Sequence, residues 1–73
     1  MAYMRNQLLA KKYSVTKWRE LIDDWIFSAV HRDMVKAWLV DDLTVAEVAE
    51  KFCVSDRTAS KVIASAFLQL IDL

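Results

Sequence analysis

The chain contains no glycine and no proline among its 73 residues. These two residues interrupt regular structure more strongly than any others, whereas good helix formers such as alanine, leucine, lysine and glutamate are plentiful. We therefore predict an all-α fold, a small helical domain of four to five helices that occupies residues 1–73 as a single unit. At this size one hydrophobic core is marginal, so self-association is a common source of added stability.

The first half of the sequence predicts three helices. A short helix covers roughly residues 2–11. Ser14 is placed to cap a second helix, and Tyr13 and Trp18 are spaced as a hydrophobic staple across that cap. Asp33 is placed to cap a third helix. The apolar residues of the second helix recur at helical spacing and predict a wide core-facing stripe: Val15, Trp18, Leu21, Ile22, Trp25, Ile26 and Ala29.

Residues 44–63 carry the most specific pattern in the chain. Thr44 and Glu47 have the spacing of a capping box, in which each side chain accepts from the other residue's backbone N–H. Ser55 is placed to cap a further helix. An apolar stripe then follows at helical spacing: Ala59, Val62, Ile63, Ala66 and Leu70. The segment predicts two helices joined by a short turn, the second covering about residues 56–71.

The sequence does not provide a set of residues for catalysis or metal binding. One cysteine and one histidine exclude an intrachain disulfide and a four-ligand metal site. Asp41 and Asp42 have no accompanying base or nucleophile, so we interpret them as turn residues. We predict that Cys53 is a small, partly buried residue in a turn and that His31 lies at a helix end. We expect neither an enzyme nor a bound cofactor.

Charge is balanced overall but unevenly distributed. Ten basic and ten acidic side chains cancel, so the chain lacks the net positive charge typical of many DNA-binding domains. Five basic residues near the amino terminus form a run without an acid: Arg5, Lys11, Lys12, Lys17 and Arg19. This run is either a solvated helix surface or an arm that contacts phosphates.

No apolar run reaches the roughly 18 residues needed to span a bilayer. Residues 1–12 also lack the uninterrupted apolar stretch of a signal peptide. We therefore expect a cytoplasmic protein that has no membrane partner.

Residues 33–70 resemble the helix-turn-helix of bacterial, phage and plasmid transcription regulators. Ala49 corresponds to the family's small residue in the first helix, and Val54 corresponds to its apolar residue in the turn. Ala59 and Val62 correspond to the core positions of its recognition helix. Residues 39–67 are more specifically similar to plasmid KorA-type (TrfB) repressors, and the segment is also similar to fimbrial PapB-type regulators and to region 4 of sigma factors. Cys53 stands where the family usually has glycine. The resemblance implies duplex binding, with the second helix in the major groove.

The outward face of the second motif helix supplies the predicted DNA contacts. Arg57 and Lys61 lie opposite the core stripe and are able to donate to guanine O6 and N7, while Asp56 is able to accept from cytosine N4. Hydroxyl side chains nearby, and those that begin the two helices, suit bases or phosphates. The predicted DNA-binding set is Thr44, Ser55, Asp56, Arg57, Thr58, Ser60, Lys61 and Ser65. For each of them the alternative is a solvated side chain without a partner.

The end of the same helix predicts a second surface. Its apolar residues outside the core stripe are Ala64, Phe67, Leu68 and Ile71. An apolar patch on a small protein usually marks an interface, and the simplest partner is a second copy. A homodimer would place two recognition helices about one turn of DNA apart. The alternative is that the amino-terminal helix covers this patch within one chain.

Our functional hypothesis is a DNA-binding transcription regulator, a repressor of phage or plasmid origin that occupies double-stranded operator DNA as a homodimer. The alternative is a helix-turn-helix interaction module whose partner is a protein, such as a component of the transcription machinery or another regulator. The zero net charge favours this alternative. The two hypotheses differ in the salt dependence of binding, which is steep for a phosphate-binding surface.

Overall fold

A computed structural model describes residues 2–73, which form five α-helices and no strand. The helices are α1 (Ala2–Leu9), α2 (Val15–Trp25), α3 (Ala29–Leu39), α4 (Val45–Lys51) and α5 (Asp56–Leu70). The all-α prediction is therefore confirmed, with five helices in the described part of the chain. None of these helices is long and apolar enough to cross a membrane.

Serine or threonine begins each of the last four helices. The side chains of Ser14, Ser28, Thr44 and Ser55 each accept a hydrogen bond from the backbone N–H three residues further along. The predicted staple is also present, because the rings of Tyr13 and Trp18 meet edge to face with centroids 5.1 Å apart. Local sequence signals thus set these helix starts.

The predicted start of the third helix at Asp33 was wrong. The cap of α3 lies five residues earlier, at Ser28, whose hydroxyl accepts from the His31 N–H at 3.5 Å. The first three residues of α3 are exposed. They show no apolar periodicity although they are helical. His31 lies in this first turn, as expected for a helix-end residue.

Three residues other than glycine adopt the left-handed conformation where the chain turns. Lys12, Asp42 and Cys53 have φ values of 60°, 62° and 56° and follow α1, α3 and α4, respectively. After α4 the Val54 N–H donates to the Ala49 carbonyl at 3.0 Å, and the Cys53 N–H donates to the Glu50 carbonyl at 3.3 Å. These two bonds form a Schellman motif, which usually requires glycine at the position of Cys53.

Helix α5 is the centre of the fold and contacts each of the other four helices. All five helices contribute side chains with almost no exposed surface, including Leu8, Ile22, Trp38, Val48, Ile63 and Leu70. The predicted core stripe of α2 is narrower than expected, because Val15, Trp25 and Ala29 are exposed. The buried residues of this stripe are Trp18, Ile22 and Ile26.

Contacts made by Leu8 and Arg5 hold α1 against the rest of the molecule. Leu8 inserts fully into the core. One turn earlier in α1, the Arg5 guanidinium donates to the Asp42 carboxylate and to the Leu43 carbonyl, both at 2.5 Å. The same guanidinium lies 5.7 Å from the centre of the Trp38 ring. Residues far apart in sequence are thus joined at the turn before α4.

Candidate nucleic-acid interface

Helices α4 and α5 form the most extensive helix pair in the fold. Ala49 and Ala59 are both buried, and small side chains allow two helix backbones to approach closely. Val54, in the connection between the helices, is partly buried against the core, as predicted for an apolar turn residue. Cys53 is exposed, so the prediction that it is partly buried was wrong.

One side of α5 remains open to solvent over its first three turns. Asp56, Arg57, Thr58, Lys61 and Ser65 are exposed, and Ser60 is half-buried. The residues between them include Ala59 and Ile63, which are fully buried. The sequence therefore separated the two faces of this helix correctly. From Arg57 to the end of α5 the open side carries two cations and no carboxylate.

The hydroxyl groups at the start of α5 already have partners. Ser55 Oγ accepts from the Thr58 N–H at 3.1 Å and donates its own proton to Thr58 Oγ1 at 3.0 Å. Thr58 retains its proton, which is free to donate to an acceptor on DNA. Of the two residues, Thr58 is therefore the better candidate for a phosphate or base contact.

The start of α4 is occupied by a carboxylate. Glu47 Oε1 accepts from the Thr44 N–H at 2.9 Å, while Thr44 Oγ1 accepts from the Glu47 N–H at 3.1 Å. The hydrogen bond from the Thr44 backbone N–H holds the pKa of Glu47 below its ordinary value, and the Thr44 side chain and the charge of Arg5 add to the effect. A phosphate approaching Thr44 would meet this negative charge, so Thr44 is the weakest member of the predicted set.

The cationic run near the amino terminus does not form one surface. Arg5 is engaged by Asp42 and Leu43. Lys17 and Arg19 are exposed on α2, and Lys11 is half-buried beyond α1. The Tyr13 hydroxyl donates to the Leu73 carbonyl at 3.3 Å, which places the start of α2 beside the carboxyl end of α5. Lys17 therefore lies at the opposite end of α5 from Arg57.

The predicted dimerisation patch is largely covered within the chain. Phe67 and Ile71 are partly buried against the core, and Ala64 is half-buried. Helix α1 packs against α5, and Ile71 lies beside the end of α1. Only Leu68, 68% exposed, is freely accessible. The apolar surface that α5 offers to a second copy is therefore small.

A larger apolar surface lies at the connection between α2 and α3. Trp25 is 48% exposed and Phe27 is 86% exposed. Both line a cleft of about 440 Å³ whose other side is α5, with Lys61 and Ser65 on its edge. The sequence interpretation missed this surface because it placed Trp25 in the core stripe of α2. The signal was present in Phe27, an aromatic residue just outside that stripe.

Within residues 2–73, no group of three or more histidine, cysteine, aspartate or glutamate side chains is arranged to hold a metal ion. No family model, curated protein or solved structure matches the chain. The exposed side of α5 and its surroundings are therefore the features of the molecule that bear on its function.

Proposed function

We propose that the protein is a sequence-specific DNA-binding transcription regulator in which α4 and α5 act as a helix-turn-helix and α5 enters the major groove. The observation that carries this proposal is the open side of α5, where Arg57, Thr58, Lys61 and Ser65 are exposed in the first three turns. This is the half of a recognition helix that contacts base edges. A repressor that blocks an operator requires no further chemistry from the protein.

The packing that holds α5 in place suits a recognition helix. A recognition helix has to hold its side chains in a fixed register against the bases. Here the opposite side of α5 is buried against all four other helices, so the exposed side chains project from a rigid element. Arg57 and Lys61 are one turn apart, which matches neighbouring base pairs in one groove.

The first experiment is selection of bound sequences from a random duplex library with the full chain. The enriched duplex is then used to compare Arg57→Ala and Lys61→Ala with the wild-type protein. Each substitution should weaken binding by about 1–3 kcal/mol, because a side chain that reads a base is lost. Circular dichroism should show an unchanged fold, since both residues are exposed.

Lys17→Ala is the matched control. It removes one positive charge from an exposed residue of α2, at the other end of α5 from Arg57. Its affinity for the selected duplex should stay close to that of the wild type. Failure of the library to enrich, or equal losses in the Lys17 variant and the two α5 variants, would contradict the recognition-helix proposal.

Homodimerisation is part of the same proposal. Two copies on a two-fold axis would read a palindromic duplex with half-sites about one helical turn apart. Sedimentation of the free protein and of its complex with the selected duplex measures this directly. A monomer on a site without symmetry would remove the dimer from the proposal and leave the contacts of α5 unaffected.

A protein-binding module is the second candidate function. It is favoured by the exposure of Trp25 and Phe27 together with the zero net charge. Salt discriminates between the two functions. Binding that neutralises phosphates falls by roughly 0.9 log unit per phosphate for each log unit of salt, whereas binding through an apolar surface changes little. A binding partner whose affinity changes little as salt is added would therefore favour the protein-binding module.

A further inference from the structure

The cleft beside α5 has the size and composition of a small-molecule site. Its volume of about 440 Å³ lies within the range of roughly 300–1,000 Å³ that is typical of ligand pockets. One wall is the α2–α3 connection with Trp25 and Phe27. The other wall is α5, where Val62 and Ala66 are apolar and Lys61 and Ser65 are polar.

The aromatic wall is unusual for a surface that is open to water. Phe27 is the most exposed of the large apolar side chains, and Trp25 is half exposed beside it. The other two tryptophans, Trp18 and Trp38, are buried in the core. A flat apolar ligand would remove water from the rings of Trp25 and Phe27 without any change in the core.

The charge at the edge of the cleft is positive. None of the residues that line the cleft is acidic, and Lys61 is the cation among them. The two ion pairs found within residues 2–73 join Arg5 to Asp42 and Lys36 to Asp23, so Lys61 has no carboxylate partner there. The other polar residues that line the cleft include Ser65, Gln69 and His31. An anionic group on a ligand would complement this edge.

We propose that the cleft binds a small organic anion with an aromatic or similarly apolar body, the body lying on Trp25 and Phe27 and the anionic group meeting the Lys61 ammonium. Lys61 belongs to both the cleft and the open side of α5. The ligand therefore also regulates DNA binding, an inference that rests on the proposed function. A bound anion would neutralise a lysine that DNA binding requires. Such a ligand acts as an inducer and lowers the affinity for the operator.

Two dyes that differ in charge test the binding part with the full chain. The probes are anilinonaphthalene sulfonate and its uncharged counterpart, phenylnaphthylamine, both of which fluoresce in apolar sites. Lys61→Gln should weaken binding of the sulfonate about five-fold or more, the effect of losing one partly exposed charge-assisted contact, and leave the neutral dye within about two-fold. Trp25→Ala should weaken both dyes about three-fold or more.

Lys17→Gln is the control for general charge effects, and it should change the binding of neither dye. Circular dichroism confirms that each variant is folded, so weak binding cannot be assigned to unfolding. No binding by the wild type, equal loss of both dyes in the Lys61 variant, or an equal effect of Lys17→Gln would overturn the proposal.

The regulatory part has a separate measurement. With a selected duplex, a saturating concentration of the sulfonate dye should raise the apparent Kd for DNA at least about five-fold, and the neutral dye should raise it less. Simultaneous binding of sulfonate and duplex without mutual effect would overturn the inducer role. Because dye binding is measured without DNA, its failure and the failure of the DNA proposal are distinguishable.

Discussion

At the scale of single residues, the turn after α4 is made without glycine. Cys53 has φ of 56° and an exposed side chain, while its N–H and that of Val54 close the helix end. A residue with a Cβ atom is destabilised by about 1–2 kcal/mol in this conformation relative to its preferred one. The turn therefore depends on the hydrogen bonds and on the packing of Val54 against the core.

We predict that Cys53→Gly stabilises the protein by about 0.5–1 kcal/mol, because the strain of the left-handed backbone is removed and the added freedom of the unfolded chain offsets part of the gain. Urea unfolding at neutral pH measures the difference. Cys53→Ala is the matched control and should show no such gain, since alanine keeps the Cβ atom. Equal stabilisation by both substitutions would mean that the thiol, and not the backbone, was unfavourable.

At the scale of elements, four of the five helices are started by a side-chain cap, and α4 has the most complete one. Its seven residues are too few to form a stable helix alone. The capping box satisfies two backbone N–H groups at once, and the ionised Glu47 also interacts favourably with the positive end of the helix. The charge state of one exposed carboxyl group therefore affects α4.

We predict that Glu47→Gln removes a pH-dependent part of the stability. The pKa of Glu47 is lowered in the folded state, chiefly by the backbone hydrogen bond from Thr44, so its contribution is complete above the ordinary value of 4.5 and is lost as the pH falls through the folded-state pKa. The difference in unfolding free energy between wild type and Glu47→Gln should shrink between about pH 6 and pH 3. Urea unfolding at several pH values measures it.

Glu50→Gln is the control on the same helix. Glu50 is also exposed, and it lies outside the capping box. Its difference from the wild type should change much less over the same pH range. An identical course for the two variants would show that the general carboxylate charge, and not the capping box, governs the effect.

At the scale of the whole molecule, α5 contributes to both the core and the candidate interface. Helix α1, at the other end of the sequence, also contributes to the core. Leu8 is fully buried, whereas its neighbour Leu9 is 45% exposed. Arg5 fastens the same helix to the turn at Asp42. A helix of eight residues with little amphipathic character becomes part of the core through these tertiary contacts.

We predict that Leu8→Ala destabilises the protein by about 2–5 kcal/mol, because a fully buried leucine leaves a cavity that the surrounding helices fill only in part. Thermal or urea unfolding measures the loss. Leu9→Ala makes the same chemical change at the next residue and should have a far smaller effect. Similar losses in the two variants would contradict the placement of α1 in the core.

Much of the helical pattern is readable from the sequence. The absence of glycine and proline excludes most interruptions, and Ser14, Thr44 and Ser55 mark three helix starts through local hydrogen bonds. The exposed side of α5 follows from the same reasoning, since the spacing of Ala59 and Ile63 leaves Arg57 and Lys61 on the other side. These features depend on residues within a few positions of one another, and the chain alone determines them.

Other features were decided only when the helices packed together. The start of α3 is not one of them, because the Ser28 cap is local; it was missed because the first turn of α3 faces solvent and has no apolar periodicity. Three other features depend on residues that are distant in sequence. Phe67 and Ile71 are covered by packing within the chain, and Trp25 lines the same cleft as Lys61. The Arg5 guanidinium binds the Asp42 carboxylate. Apolar spacing determines which residues of a helix share a face, but the arrangement of the neighbouring helices determines whether that face is buried.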